Sequence, residues 1–168
     1  MAQSRPEHDF LGPEEWESWG ALLMLHRAVL QELDAQLRRR HDLAVREFDV
    51  MITLFNAPDR RLRMSQLAER VLLSPAGTTH LVTRLERDRL VRREVDPADR
   101  RKWFAVLTDV GDRALKAARP THNDVLRRTL LAATAPSDRR TLRRIWHRLS
   151  KQTPNPLGSA EKDRDNNS

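Results

Sequence analysis

The sequence predicts a mainly α-helical fold with one small β-hairpin, a helix-turn-helix unit that runs into a wing and is flanked by long helices at both ends. Three observations predict it. Apolar residues recur at helical spacing over most of the chain. Ser74-Pro75 opens a helix with a polar outer side, immediately after a shorter amphipathic helix. Two apolar, partly β-branched segments, residues 90–95 and 102–107, then flank Asp96-Pro97-Ala98-Asp99-Arg100-Arg101, a Pro/Asp turn of the kind that closes a hairpin.

Residues 1–12 are polar and are expected to form a flexible N-terminus. Pro13-Glu14-Glu15 suits a helix start, with proline in the first turn and acids at the positive end of the dipole. From Trp16 to about residue 40, Trp16, Trp19, Leu22, Leu23, Leu25, His26, Val29, Leu30, Leu33 and Leu37 form a broad apolar face. A second helix over 45–56 turns Phe48, Met51, Ile52 and Phe55 inward and ends at Pro58-Asp59. A short helix over 65–71 buries Leu67, Ala68 and Val71. After the turn at 72–74, the next helix runs from Pro75 to about residue 89. On a 3.6-residue wheel Thr78, Leu81, Val82 and Leu85 face in, while Ala76, Thr79, His80, Thr83, Arg84 and Arg87 face out. Thr108 can cap a helix over 109–132, which Pro120 is expected to kink or break. A final helix over 136–151 lines up Leu142, Ile145, Trp146 and Leu149, and the polar tail at 152–168 is expected to be disordered.

Bulk properties narrow the function. The 168 residues carry 31 Lys+Arg against 24 Asp+Glu, a net charge of +7 that favours a polyanionic partner. The basic residues are almost all arginine, whose planar fork suits phosphate and guanine. With no cysteine, disulfides, thiolate metal sites and thiol redox sensing are excluded. No stretch approaches the about 18 apolar residues a membrane span needs, and the N-terminus lacks a signal-peptide pattern. A cytoplasmic protein without a membrane partner is the expectation. Only five glycines are present and no phosphate-binding loop, nucleophile motif or paired carboxylates appear, so neither catalytic residues nor a cofactor are expected. The six histidines form no i, i+4 pair with a third ligand, so no metal is expected either.

The chemistry points to double-stranded DNA. A recognition helix reads base edges through residues near its N-terminus, and Thr79, His80, Thr83 and Arg84 fit that task, with Ser74 and Ala76 as further DNA-binding candidates and Arg87 nearer the backbone. Ser65 and Gln66, at the start of the preceding helix, are further DNA-binding candidates. Arg100 and Arg101 at the hairpin tip can enter an adjacent minor groove, with Asp99 orienting an arginine. The competing reading is a winged-helix protein-interaction module without specific DNA binding.

Several of these residues carry a resemblance. Ser65-Gln66-Leu67-Ala68-Glu69, Leu85-Glu86, Leu90-Val91-Arg92-Arg93, the Asp96 to Arg101 turn, and Leu107-Thr108 with Gly111 make the stretch 48–111 resemble the MarR (multiple antibiotic resistance regulator) family of winged-helix transcription factors. The D-R-R wing followed by L-T-x-x-G is the most specific part. The resemblance implies Arg101 as the minor-groove arginine with Asp99 as its supporting acid. It also implies a homodimer held by the terminal helices, residues 13–44 and 109–151, around a winged-helix domain at 45–108. Leu22, Leu23, Leu126, Leu130, Leu131, Leu142, Ile145 and Leu149 are then interface or core residues, and a pseudo-palindromic operator and a repressor role are the corresponding expectations. A small anionic aromatic effector is implied as well, with Trp16, Trp19, His26, Asp49 and Met51 as candidates to line its cleft. The chain departs from the family at one point. Arg89 stands where glycine often precedes the Leu-Val of the wing, and a left-handed backbone there would be strained.

Overall fold

The computed structural model describes residues 11–97 and 99–151. The expected disordered tail, all but the last two residues of the expected flexible N-terminus, and Ala98 of the wing turn lie outside the described residues. Among the described residues six α-helices and three strands follow in order: α1 (Pro13–His41), α2 (Val45–Phe55), β1 (Arg61–Arg63), α3 (Met64–Val71), α4 (Pro75–Arg87), β2 (Val91–Val95), β3 (Trp103–Leu107), α5 (Asp109–Leu126) and α6 (Pro136–Leu149). This is the mainly α fold with a small wing that the sequence predicts.

The helices start in two ways. Where the first residue has an oxygen to offer, it caps: Ser74 Oγ accepts from the Gly77 N–H at 3.1 Å and Thr108 Oγ1 from the Gly111 N–H at 2.9 Å. Where it does not, a side chain three residues on reaches back. Glu15 accepts from the Gly12 N–H, Glu47 from Ala44, Gln66 from Arg63 and Asp138 from Ala135.

The core lies where α2, α3, α4 and the sheet meet the second half of α1 and α5. Leu37, Phe48, Met51, Leu54, Leu67, Val82, Leu85, Val91 and Leu115 are among its buried members. Burial of this kind supplies most of the folding free energy, at about 25 cal/mol per Å² of apolar surface. Thr78, Val82 and Leu85 of α4 are buried, while Ala76, Thr79, His80, Thr83, Arg84 and Arg87 are exposed, as the wheel predicts.

The sheet has three strands, not the two of the predicted hairpin. Its order is β1-β3-β2, all antiparallel, with Val91 opposite Leu107, Val95 opposite Trp103, and Leu62 opposite Ala105. Only Leu62 of the Arg-Leu-Arg strand is buried.

The strongest departures lie at the ends. In the first half of α1, Trp16, Trp19, Leu22, Leu23, Met24 and Leu25 are exposed, and burial begins only at Leu33. Leu142, Ile145, Trp146 and Leu149 of α6 and Leu131 before it are also exposed. Leu126 is half-buried against the core. α5 runs without interruption through Pro120, whose ring is exposed, so the expected break does not occur there. The irregularity comes later, as a π-turn over Arg127–Leu131. Among the described residues no helix is long and apolar enough to cross a membrane.

Candidate nucleic-acid interface

The turn that delivers α4 is built from strained and capped residues. Leu72 adopts a left-handed conformation at the end of α3 (φ 55°), so the chain reverses within three residues and Ser74 caps α4. The hydroxyls of Thr79 and Thr83 donate to the Pro75 and Thr79 carbonyls, at 2.9 and 2.8 Å. Both therefore face outward with their methyl groups and oxygen lone pairs, which suit thymine methyls and base donors. His80 and Arg87 stand exposed on the same side.

Arg84 is tied inward. Its Nε lies 2.7 Å from Oε1 of Glu47 on α2, and its side chain is 47% exposed. Gln66 is also partly engaged, since its carbonyl oxygen caps α3 and only its amide NH2 remains for an outside partner. Ser65 is exposed.

The wing is stiffened at its base. The Asp96 N–H donates to the Lys102 carbonyl at 2.9 Å, and the Lys102 N–H to the Asp99 carbonyl at 2.8 Å. Asp96 is buried, with Arg63 Nε and Nη2 at 3.0 and 2.8 Å from one carboxylate oxygen. Arg61 lies over the Phe104 ring at 3.9 Å. Arg93 joins the wing to α4, its Nη2 2.5 Å from Glu86. These arginine bonds hold the Glu86 carboxyl below its ordinary range despite some burial.

At the tip Arg101 is 93% exposed, with Nε 3.4 Å from Asp99. The Asp99 carboxyl is held below its usual range by the Arg101 backbone N–H, by Lys102 and by the Arg101 side chain, so it stays ionised and steers the guanidinium. Arg100 is exposed beside it. A hollow of about 500 Å³ between helix-turn-helix and wing brings Ser65, Thr79 and Arg101 around one space, with Arg63, Met64, Arg93, Lys102 and Trp103 completing its wall. Of the residues expected to meet DNA, these three come from three separate elements. Trp103 joins this wall although the sequence marks it only as a strand residue.

The wing is positioned by the L-T-x-x-G segment. Thr108 Oγ1 donates to the Arg89 carbonyl at 2.7 Å and lies 3.0 Å from that of Leu90. A Cβ on Gly111 would lie 2.1 Å from the Leu90 oxygen, so only glycine lets α5 approach this closely. Arg89 itself is left-handed (φ 60°), so the turn keeps the conformation that favours glycine and carries the strain.

The five candidate effector residues do not converge within one chain. Trp16, Trp19 and His26 are exposed along the first half of α1. Trp16 stands 17 residues before Leu33, the first buried residue of α1, about 25 Å along the helix. Met51 is fully buried and packs in the core of the single chain. Asp49 is half-buried; burial raises its carboxyl above the ordinary value, against the pull of Arg46 and His122. His122 stacks on Phe48 at 4.5 Å, and among the described residues no group of acids and histidines forms a metal site.

Comparison with known proteins agrees with this geometry. A model described as the MarR family matches residues 41–102. The HTH-type transcriptional regulator MhqR of Bacillus subtilis is 30% identical over 97 residues, 58% of this chain and 65% of that protein. The transcriptional regulator HosA of Escherichia coli O111:H- is 34% identical over 84 residues, 50% of this chain and 61% of that one. The chain thus spans somewhat less than two thirds of these curated relatives. Among solved structures, the MarR family transcriptional regulator Sco3205 of Streptomyces coelicolor, in complex with DNA, is 30% identical over 88% of this chain and 92% of that one, with a TM-score of 0.81. AbsC, a MarR family regulator from the same organism, is 29% identical over 85% and 96%, with a TM-score of 0.79.

Proposed function

The chain belongs to the MarR family of transcriptional regulators, and on that premise we propose that it is a homodimeric repressor of a pseudo-palindromic operator, released by a small molecule. One observation carries the reading. The exposed polar side of α4 stands beside a rigid wing whose tip presents Arg101 almost wholly to solvent. In this reading α4 enters the major groove with Ser74, Ala76, Thr79, His80 and Thr83 toward base edges, and Arg84 and Arg87 beside them. Ser65 and Gln66 meet phosphates, and Arg100 and Arg101, steered by Asp99, reach the neighbouring minor groove.

The terminal helices, residues 13–44 and 109–151, are the proposed dimerisation elements around the winged-helix domain at 45–108. The exposed Trp16, Trp19, Leu22 and Leu23 of α1 and Leu142, Ile145, Trp146 and Leu149 of α6 support this, because apolar side chains gathered on two helices call for cover. The effector is proposed to be a small anionic aromatic compound, seated where the tryptophans of α1 meet the second copy.

Selection from a random duplex library followed by hydroxyl-radical footprinting tests the proposal. The expected product is an inverted repeat with half-sites about one helical turn apart, protected by a species that sediments as a dimer. A single unrepeated site, or a monomer at micromolar concentration, contradicts it. Effector release is read by adding aromatic carboxylates to the bound complex; a DNA affinity unchanged by all of them counts against that part.

A further inference from the structure

Glu47 is 2% exposed, and nothing in the DNA-reading arrangement above requires a carboxylate inside α2. Its Oε2 accepts from the Ala44 N–H at 2.7 Å. Its Oε1 accepts no hydrogen bond of good geometry among the described residues, and the charge there is met by Arg84 Nε at 2.7 Å. A buried carboxylate tolerates separation from its counter-charge poorly, so this contact persists while the rest of the arginine is half in solvent. Guanidinium is planar. The ion pair at Nε anchors the near end of the group beside Glu47 and leaves the Nη1–Nη2 edge for a partner outside the protein, the edge that takes O6 and N7 of guanine together. Glu47 is itself held relative to α1, since the Val45 N–H donates to Asp34 Oδ1 at 2.9 Å.

We propose that Glu47 is a positioning residue for DNA reading: by holding Nε of Arg84 it aims the outer guanidinium edge at one guanine of each half-site and sets the specificity there. The proposal rests on the DNA-reading function above. It differs from a free, solvated Arg84, whose contribution would be charge alone.

The test is fluorescence anisotropy of the full chain against its selected operator and a scrambled duplex over a range of salt. Glu47→Gln keeps the acceptor for Ala44 but turns an amide NH2 toward Arg84. Arg84→Lys keeps the charge opposite Glu47, and hence the fold, but has no fork. Each variant is expected to bind the operator about tenfold or more weakly while binding the scrambled duplex as before with an unchanged salt slope. Each is also expected to lose discrimination when a single guanine of the half-site is replaced by adenine. If both variants keep the wild-type preference, or lose affinity for both duplexes equally, the proposal is overturned. A wild-type protein with no preference overturns the DNA-reading function and this proposal with it, whereas a wild-type preference that both variants retain overturns this proposal alone.

Discussion

Replacing Gly111 with alanine probes the contact that fixes the base of the wing. Gly111 is the third residue of α5, and its N–H donates to Thr108 Oγ1 at 2.9 Å. An added Cβ would sit 2.1 Å from the Leu90 carbonyl oxygen and 2.8 Å from Leu107 Cδ1. The carbonyl cannot simply withdraw, because it accepts the Thr108 N–H at 3.1 Å and lies 3.0 Å from the Thr108 hydroxyl. Overpacking strain of about 1–3 kcal/mol and the loss of a hydrogen bond worth about 1 kcal/mol oppose a helix-propensity gain of at most about 1 kcal/mol. The net cost is about 1–3 kcal/mol, which for a chain of this size lowers Tm by about 3–10 °C. Circular dichroism melts at one fixed protein concentration measure it, since dimerisation would make Tm depend on concentration. Gly77→Ala serves as the comparison. Its new methyl meets nothing closer than Ser74 Oγ at 3.2 Å and should cost less than about 1 kcal/mol. A Gly111→Ala protein that melts at or above the wild-type temperature would refute the packing argument.

Arg89→Gly should stabilise the fold by about 0.5–1 kcal/mol, since it removes a left-handed arginine while the Arg89 carbonyl still accepts from Thr108; a lower urea midpoint would count against this. Glu86, whose carboxyl is held low chiefly by the Arg93 side chain, supplies stability that is present above the ordinary glutamate pKa and lost as pH falls through the depressed folded value. The urea-midpoint gap between wild type and Glu86→Gln should therefore narrow from pH 7 to pH 3, and a gap that stays constant contradicts the assignment. Arg101→Ala should weaken binding to operator and scrambled duplexes alike and flatten the log–log salt slope by about 0.9, as for one lost phosphate-like contact. An unchanged slope removes Arg101 from the interface.

Much of this fold is legible in the sequence because its helices are long and their apolar spacing regular. The outward set on α4 and the caps at Ser74 and Thr108 follow from residue type and position alone. What escapes is set by contacts distant in sequence. β1 is three residues, two of them arginine, and becomes a strand only by pairing with β3 and burying Leu62. The wheel places Arg84 outward, but its long side chain reaches back to a different helix, and nothing in the spacing marks Glu47 as its partner. Arg89 breaks the local preference for glycine and the left-handed turn forms regardless, held by the Leu90 N–H bond to the Leu85 carbonyl and by Thr108. Pro120 suggests an interruption in α5, yet the helix runs on from Asp109 to Leu126. Apolar spacing in α1 and α6 shows that a face exists without showing what covers it, and for the same reason the effector residues read from it do not assemble within one chain.

The most direct measurement is a titration of the protein against its selected operator and a scrambled duplex of equal length, followed by anisotropy at about 0.15 M salt. A preference of more than about a thousandfold for the operator is the predicted result. Equal, weak and strongly salt-dependent binding to both duplexes would contradict sequence-specific reading by α4 and the wing.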